Sequence, residues 1–342
     1  MQLSELDYQY PEELIATAPS GQFRCCYVNN QGEPQEIKTK NELFEQFQAG
    51  DVLVINESKV LKRRVFSQSG LEILFLQALE NNQWQVLFPA KKTKLGEEVL
   101  LPQGVKMKLV EKGIPQLVET DRPLEESYFQ NHGELALPPY IQQARGSRHQ
   151  KDSDEQWYQT DWAKNEGSYA APTASLHFDQ KDLEELSLKG IHVEKVTLHV
   201  GLGTFLPIRS EDINKHKMHS EWIEVPKSAV EKMFEAQEMK HNIWCLGTTA
   251  LRAVESQAHG FLKFDERRQS YIGESDIFIK PGFEFKFASR LLTNFHQPKS
   301  TLLALVASFQ DLETVKKVYA WVIERGFKLF SYGDLSVWEL KK

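Results

Sequence analysis

This 342-residue chain contains no apolar run of the roughly 18–20 residues that a membrane-spanning helix needs. Its first residues, Met1 to Asp7, lack the basic and apolar regions of a secretory signal. Cys25, Cys26 and Cys245 are too few for a disulfide framework and lack metal-ligand spacing. They also cannot supply the three-cysteine cluster of an iron–sulfur centre. A reducing cytoplasm is the expected setting. No Gly-x-x-x-x-Gly-Lys-Ser/Thr and no Gly-x-Ser-x-Gly occurs, so nucleotide triphosphatases and ordinary esterases have no support. Gly201-x-Gly203 lacks the third glycine of a dinucleotide fingerprint, because position 206 is Leu206. His216 and His219 lie three apart without a His-Glu-x-x-His framework, so a metal-dependent hydrolase is only a distant alternative, and no metal site is expected.

An excess of basic charge is missing too: 41 Lys and Arg stand against 48 Asp and Glu, a net charge of −7. The cations are nevertheless grouped. Lys59, Lys62, Arg63 and Arg64 form one cluster, Lys91, Lys92 and Lys94 a second, and Arg145, Arg148, His149 and Lys151 a third. Each alone reads as a solvated face. Brought together they would make a phosphate-tracking patch on an acidic body.

The pattern along the chain divides in two. From Asp51 to about Thr120, short β-like runs (51–56, 71–79, 83–88, 97–101, 105–111 and 115–119) alternate with turn chemistry such as Asn81-Asn82 and Gln103-Gly104. That spacing suits a small antiparallel barrel. Residues 142–168 are polar and read as a mobile connection. Beyond them strands and helices alternate. Asp179 caps a helix through Leu183 and Leu186 that stops at Gly190, a strand follows over 191–200, and Pro226 opens another helix. A strand at 243–246 leads through Gly247-Thr248-Thr249 into a further helix, 300–309 is a charge-free helix that must be buried, and a last helix starts near Leu312. This is the signature of an α/β domain.

The most informative stretch is Val196-Thr197-Leu198-His199-Val200-Gly201-Leu202-Gly203-Thr204-Phe205. Val196, Leu198 and Val200 face one side and Thr197 and His199 the other, and the strand runs into glycines that admit close approach of a ligand. Four other clusters share this character: Thr173-Ala174-Ser175-Leu176-His177, His216 to Glu221, Gly247-Thr248-Thr249 with Arg252, and Thr293-Asn294-Phe295-His296. Ser331-Tyr332-Gly333-Asp334 does the same near the end of the chain. Each is also readable as a turn and cap; their number favours a site.

Taken together these blocks resemble the S-adenosylmethionine:tRNA ribosyltransferase-isomerases of queuosine biosynthesis. The resemblance also includes Asp7-Tyr8, Leu14-Ile15-Ala16, Leu137-Pro138-Pro139-Tyr140-Ile141, Tyr158-Gln159-Thr160, Asp276-Ile277-Phe278-Ile279 and Ser300-Thr301-Leu302-Leu303, in family order over nearly the whole chain. It implies a mixed-sheet α/β catalytic domain formed by residues 1–58 and 150–342, with a small antiparallel β-barrel domain inserted at 59–149. It implies transfer and isomerisation of the ribosyl part of S-adenosylmethionine, a co-substrate rather than a permanently bound cofactor. The acceptor is the 7-aminomethyl-7-deazaguanine (preQ1) wobble base of a tRNA anticodon stem-loop. The products are epoxyqueuosine-tRNA, adenine and methionine.

The sulfonium acidifies the ribose C5′ hydrogens, so a positioned base can start the reaction, and a histidine near neutrality can be base or acid. His177, His199 and His219 form the expected acid/base pool, unassigned among themselves. Thr173, Thr197, Thr249 and Asn294 are expected to orient sugar and base, with Gly201, Gly203 and Thr204 lining the cofactor's approach. Asp276 or Asp334 is expected to meet the substrate ammonium. Lys59, Arg63, Arg64, Lys91, Lys92, Arg145 and Arg148 are expected on the tRNA phosphates, and the chain is expected to act as a monomer.

The sequence departs from the family pattern at Pro19 to Cys26, which keeps only Arg24 of a longer stretch. It departs also at Asn56-Glu57-Ser58-Lys59, where an Asp and an Arg are usual, at Ser175 in place of glycine, and at Ala304 in place of methionine. These departures motivate an alternative: a diverged relative that binds tRNA or a nucleoside without the chemistry.

Overall fold

The computed structural model describes residues 1–201, 203, 208 and 210–341. A ten-stranded mixed sheet runs in the order Lys263–Asp265, Ser270–Ser275, Glu221–Pro226, His192–Leu198, Val52–Asn56, Ile243–Leu246, Arg290–Asn294, Leu335–Glu339, Cys25–Val28, Pro34–Ile37. The four central strands, His192–Leu198 to Arg290–Asn294, are mutually parallel. Leu335–Glu339 and Glu221–Pro226 flank them antiparallel.

Val52–Asn56 is buried at every position, as expected of a parallel strand covered on both faces. Val52 and Val54 enter one core with Ala229, Val230 and Met233 of helix Lys227–Glu238 and Leu251 and Val254 of helix Thr248–Ala258. Leu53 and Ile55 enter the opposite core with Leu183 and Leu186 of helix Gln180–Leu188. That helix is fixed at its start by a reciprocal box in which Asp182 N–H donates to Asp179 Oδ1 (2.9 Å) and Asp179 N–H to Asp182 Oδ2 (2.8 Å). Pro226 ends a strand and caps the following helix instead of opening it.

The order of connections matters for function. From Val52–Asn56 the chain reaches His192–Leu198 on one side by a helix on one face. It then crosses to Ile243–Leu246 on the other side by a helix on the opposite face. The carboxyl ends of these strands flank a topological switch point, where open α/β sheets bind ligands.

A second, seven-stranded antiparallel sheet is ordered Glu134–Leu135, Lys62–Phe66, Glu72–Ala78, Gln83–Leu87, Gln116–Thr120, Lys106–Glu111, Glu98–Leu100. Its inner face packs Val65, Phe75, Trp84, Met107 and Val118 under Phe129 of helix Glu126–His132. It is curled: just beyond Lys62–Phe66, Gln68 N–H donates to Leu100 O (2.8 Å), drawing the far edge strand back towards the second. The six β-like runs expected between Asp51 and Thr120 are all strands. Residues 142–168 are more ordered than a polar connection. They hold the end of helix Pro139–Arg145, helix Asp154–Trp157 and strand Asn165–Ser168. Tyr158 and Trp162 are buried there, and the Trp162 indole N–H donates to Asn56 O (3.1 Å). Such aromatic anchors outweigh the polar composition around them.

Candidate active site

Each central strand delivers a polar group to the same edge. Val52–Asn56 ends in Asn56 itself, wholly buried. Its Nδ2–H donates to Leu198 O (3.0 Å), and its Oδ1 accepts from Leu198 N–H (3.0 Å) and Ser58 N–H (3.1 Å). This clamps the ends of two neighbouring strands. His199 follows directly on its strand, with Nδ1 2.8 Å from Ser58 Oγ and its ring parallel to Trp222 at 5.2 Å. Burial lowers the His199 imidazole below the ordinary histidine value, partly offset by the Glu224 carboxylate. Ile243–Leu246 leads into Gly247 and the start of helix Thr248–Ala258. Arg290–Asn294 ends in Asn294, also buried.

Asn294 organises a second histidine. Thr173 Oγ1–H donates to Asn294 Oδ1 (2.8 Å), and Asn294 Nδ2–H donates to Gly333 O (3.0 Å). His177 Nε2 lies 2.9 Å from the same carbonyl. A carbonyl only accepts, so the ring carries its proton on Nε2 and leaves the Nδ1 lone pair free. Burial pushes the His177 imidazole down to about 4, so it is neutral at pH 7. Gly333 cannot be anything larger, since a Cβ there would lie 2.4 Å from the Leu329 carbonyl carbon.

One segment ties the two histidines into a row. Strand Asn165–Ser168 pairs with Ser58–Val60, and Asn165 Nδ2–H donates to Thr197 Oγ1 (2.7 Å). Gly167 lies against His199, Val200 N–H donates to Ser168 Oγ (3.0 Å), and Tyr169 N–H donates to Val200 O (3.0 Å). The chain then crosses the carboxyl edge to Thr173 and His177. His177 and His199 therefore share one edge but not a contact: His199 follows strand His192–Leu198, and the turn bearing His177 is tied to the end of strand Arg290–Asn294, three places away or roughly 14 Å at normal strand spacing.

His219 is exposed, next to Gly203, where a Cβ would sit 3.0 Å from its Cδ2. Thr204 lies outside the described residues, as do Leu202 and Phe205 of the same block. Thr249 stands in the first turn of its helix, with its hydroxyl buried and without a partner among the described residues. Asp276 is exposed. Asp334 is buried, with Oδ2 accepting from Lys328 N–H (2.7 Å), and burial raises its carboxyl above the usual range. It ties the 328–334 turn together and so supports Gly333. The Ser175 hydroxyl is buried without a partner among the described residues. Among the described residues no three His, Cys, Asp or Glu side chains gather as a metal-ligand set.

The profile of the queuosine biosynthesis protein family matches residues 3–337. The chain belongs to that family. Proteins named S-adenosylmethionine:tRNA ribosyltransferase-isomerase match across 98% of this chain and 98% of their own length. Among them are those of Chlorobaculum parvum (38% identical over 344 residues), Thermotoga maritima (37% over 343) and a Sulfurihydrogenibium species (35% over 347). A crystal structure of S-adenosylmethionine tRNA ribosyltransferase from Thermotoga maritima aligns over 97% of this chain and 99% of its own. Its TM-score is 0.53 at 28% identity.

The basic residues fall into two groups. Arg64 is 2% exposed and bonded to Glu134 (2.8 Å), and Arg145 is 4% exposed and paired with Asp154 (2.6 Å) while its Nε–H donates to Thr17 O (3.0 Å). Both are committed inside the protein, which removes them from the set open to phosphates. Arg63 is largely covered, paired with Glu126 and resting 4.2 Å over the Phe129 ring. Lys59 is half-buried and pairs with Glu166 (2.8 Å). Lys91 and Lys92 are exposed. Arg148, 63% exposed and 3.9 Å from Glu72, lines a cleft of about 530 Å³ with Phe66, Gln68 and His149. That cleft lies on the seven-stranded sheet, away from the histidine row.

Sequence reasoning missed Gly167 and Asn165, which lie in the stretch read as a connection. It also gave no role to Asn56 and Ser58, although they stand at the end of an unmistakable strand. Proximity to a strand's carboxyl end was the available signal.

Proposed function

We propose that this chain transfers the ribosyl moiety of S-adenosylmethionine to the aminomethyl group of preQ1 at the wobble position of tRNA and isomerises it. The products are epoxyqueuosine-tRNA, adenine and methionine. The observation that carries the reading is a row of two neutral, hydrogen-bonded histidines along the carboxyl edge of a parallel sheet, in a chain that matches the family throughout. Relatives matching over 98% of both lengths disfavour a binder that has lost the chemistry.

The sulfonium stabilises the carbanion left when a C5′ proton departs, so the protein must supply a neutral acceptor there. His199 fits this role: it is neutral at pH 7, oriented by Ser58, and less withdrawn than His177. His177, with Thr173 and Asn294, forms a donor and acceptor array suited to a purine edge. Gly201 and Gly203 leave the backbone open where the sugar enters. His219, on the exposed side, is placed to meet the tRNA.

Residues 59–149 act as an inserted barrel that grips the anticodon stem-loop through Lys91, Lys92 and Arg148, with Lys59 at its margin. The protein works as a cytoplasmic monomer, and no helix among the described residues is long and apolar enough to cross a membrane. The test is incubation with S-adenosylmethionine and a preQ1-bearing stem-loop. Adenine release with the matching mass gain on the RNA is expected; binding of both substrates with neither signal would overturn the reading.

A further inference from the structure

The start of helix Thr248–Ala258 holds polar atoms that the histidine row does not use. Arg252, on its second turn, is 7% exposed, and its Nη1–H donates to Glu221 Oε2. Its Nε and Nη2 are buried with no partner among the described residues. The Thr249 hydroxyl, one turn earlier and also unpartnered, lies within 3.7 Å of where a Gly247 Cβ would stand, at the helix mouth. Glu221 retains acceptor capacity: among the described residues its Oε1 accepts Gly201 N–H (3.2 Å) and its Oε2 the Arg252 Nη1–H, and a carboxylate has about four acceptor sites. Arg63, Arg64 and Arg290 also have a buried nitrogen without a partner. Arg252 alone combines this with a position at the carboxyl edge and a helix N-terminus.

Charge says what would fit. A lone anion site would present uncompensated positive charge, but here guanidinium and carboxylate stand side by side and their charges cancel. Free N–H groups beside a helix's positive end meet a carboxylate, and open lone pairs on Glu221 meet an ammonium. A ligand with both groups on one carbon satisfies the two halves at once. We infer that Arg252, Thr249 and Glu221 form the subsite for the zwitterionic α-amino-acid end of S-adenosylmethionine. Arg252 and Thr249 take its carboxylate and Glu221 its ammonium.

This inference rests on the proposed reaction and adds direction to it. Gly201, whose N–H donates to Glu221, is two residues from His199. Trp222, which stacks on His199, points to the opposite face of the strand from Glu221, so a ligand held at Glu221 reaches His199 over the carboxyl edge of the sheet. Holding the amino-acid end at Glu221 turns the sulfonium and C5′ towards His199. Asp276 and Asp334 are then not needed for the ammonium.

The test is calorimetric titration of the full chain with S-adenosylmethionine and with its decarboxylated analogue. A stem-loop bearing guanine in place of preQ1 is present, since it lacks the nucleophile and prevents turnover. The wild type should bind S-adenosylmethionine at least tenfold more tightly than the analogue. Arg252→Lys, which keeps the charge but loses the fork, should weaken S-adenosylmethionine tenfold or more and leave the analogue within twofold. Glu221→Gln, which keeps an acceptor for Gly201, should weaken both ligands, because both carry the ammonium. Equal wild-type affinity for the two ligands, or equal losses in Arg252→Lys, overturns the subsite while adenine release by the wild type leaves the reaction standing. Carboxylate-dependent binding through Arg252 without adenine release has the opposite meaning: the subsite holds and the reaction falls.

Discussion

Replacing Gly167 with alanine tests whether the site depends on the exact seat of His199. A Cβ at 167 would fall 2.7 Å from Cδ2 and Nε2 of the ring and 2.9 Å from Cε1. Relaxed contacts need about 3.5–4.0 Å, so the ring must retreat by about 1 Å. It has little freedom to do so: Trp222 lies parallel to it and Ser58 Oγ holds Nδ1 at 2.8 Å. The backbone adds strain, since Gly167 has φ +151°, which side-chain-bearing residues rarely adopt.

Overpacking of this kind costs about 1–3 kcal/mol of stability. Misplacing a reacting group by about 1 Å lowers turnover by about 100-fold. The decisive comparison is a double-mutant cycle. In a His199→Ala background the space is vacant, so the packing part of the Gly167→Ala penalty disappears and only the φ strain remains. Denaturant titration of the four proteins should give a coupling of about 1–2 kcal/mol. Adenine release should fall in Gly167→Ala and fall no further when His199 is already gone. An identical Gly167→Ala penalty in both backgrounds, or wild-type turnover in the single variant, refutes the placement of His199 as a reacting group.

Four further outcomes are expected. His177 is depressed from 6.5 to about 4, so the unfolded chain takes up the proton first; its contribution is full above pH 6.5 and is lost as pH falls towards 4. That contribution is at most about 3 kcal/mol, and His177→Asn should flatten the decline in denaturation midpoint between pH 7 and 4.5, a parallel decline counting against it. Asn56→Ala strands the Leu198 N–H and C=O and the Ser58 N–H in the interior, and should cost about 3 kcal/mol; a loss under about 1 kcal/mol would show that the strand ends do not need the clamp. Lys91→Ala, Lys92→Ala and Arg148→Ala should each weaken stem-loop binding and reduce its log–log salt slope by about 0.7–0.9 per lost phosphate contact. Arg64→Ala and Arg145→Ala should instead lower the melting temperature, and a full loss of salt slope in either would contradict their burial.

The fold was legible where periodicity and burial coincide. Val52–Asn56, the five antiparallel runs between Leu71 and Glu119 and the Asp179-capped helix follow from alternation and caps that the chain carries locally. His177, His199 and Asn294 could be picked out because polar residues at strand ends in an α/β chain converge on one edge whatever the details of packing. What failed depended on partners distant in sequence. Arg64 and Arg145 looked like members of basic clusters, but their charges are spent on Glu134 and Asp154, which sequence spacing could not pair with them. Residues 142–168 looked mobile by composition, whereas Trp162 and Asn165 are fastened to Asn56 and Thr197.

These two misreadings have one cause. Arg145 and Trp162 belong to the return path from the seven-stranded sheet to the large one, and its anchoring side chains, Arg145, Gln159, Trp162 and Asn165, bond to Thr17, Val60, Asn56 and Thr197 outside it. The same path supplies Gly167 to His199 and runs on to His177. A chain that must return from an excursion of about a hundred residues has to be anchored before it can position anything. The buried Arg145–Asp154 pair, which also accepts the Tyr332 hydroxyl (3.1 Å), anchors it beside Gly333, whose carbonyl fixes the His177 tautomer. Burial of those charges is therefore tied to the site's geometry, and an RNA contact made with Arg145 would be paid for in the alignment of the histidine row.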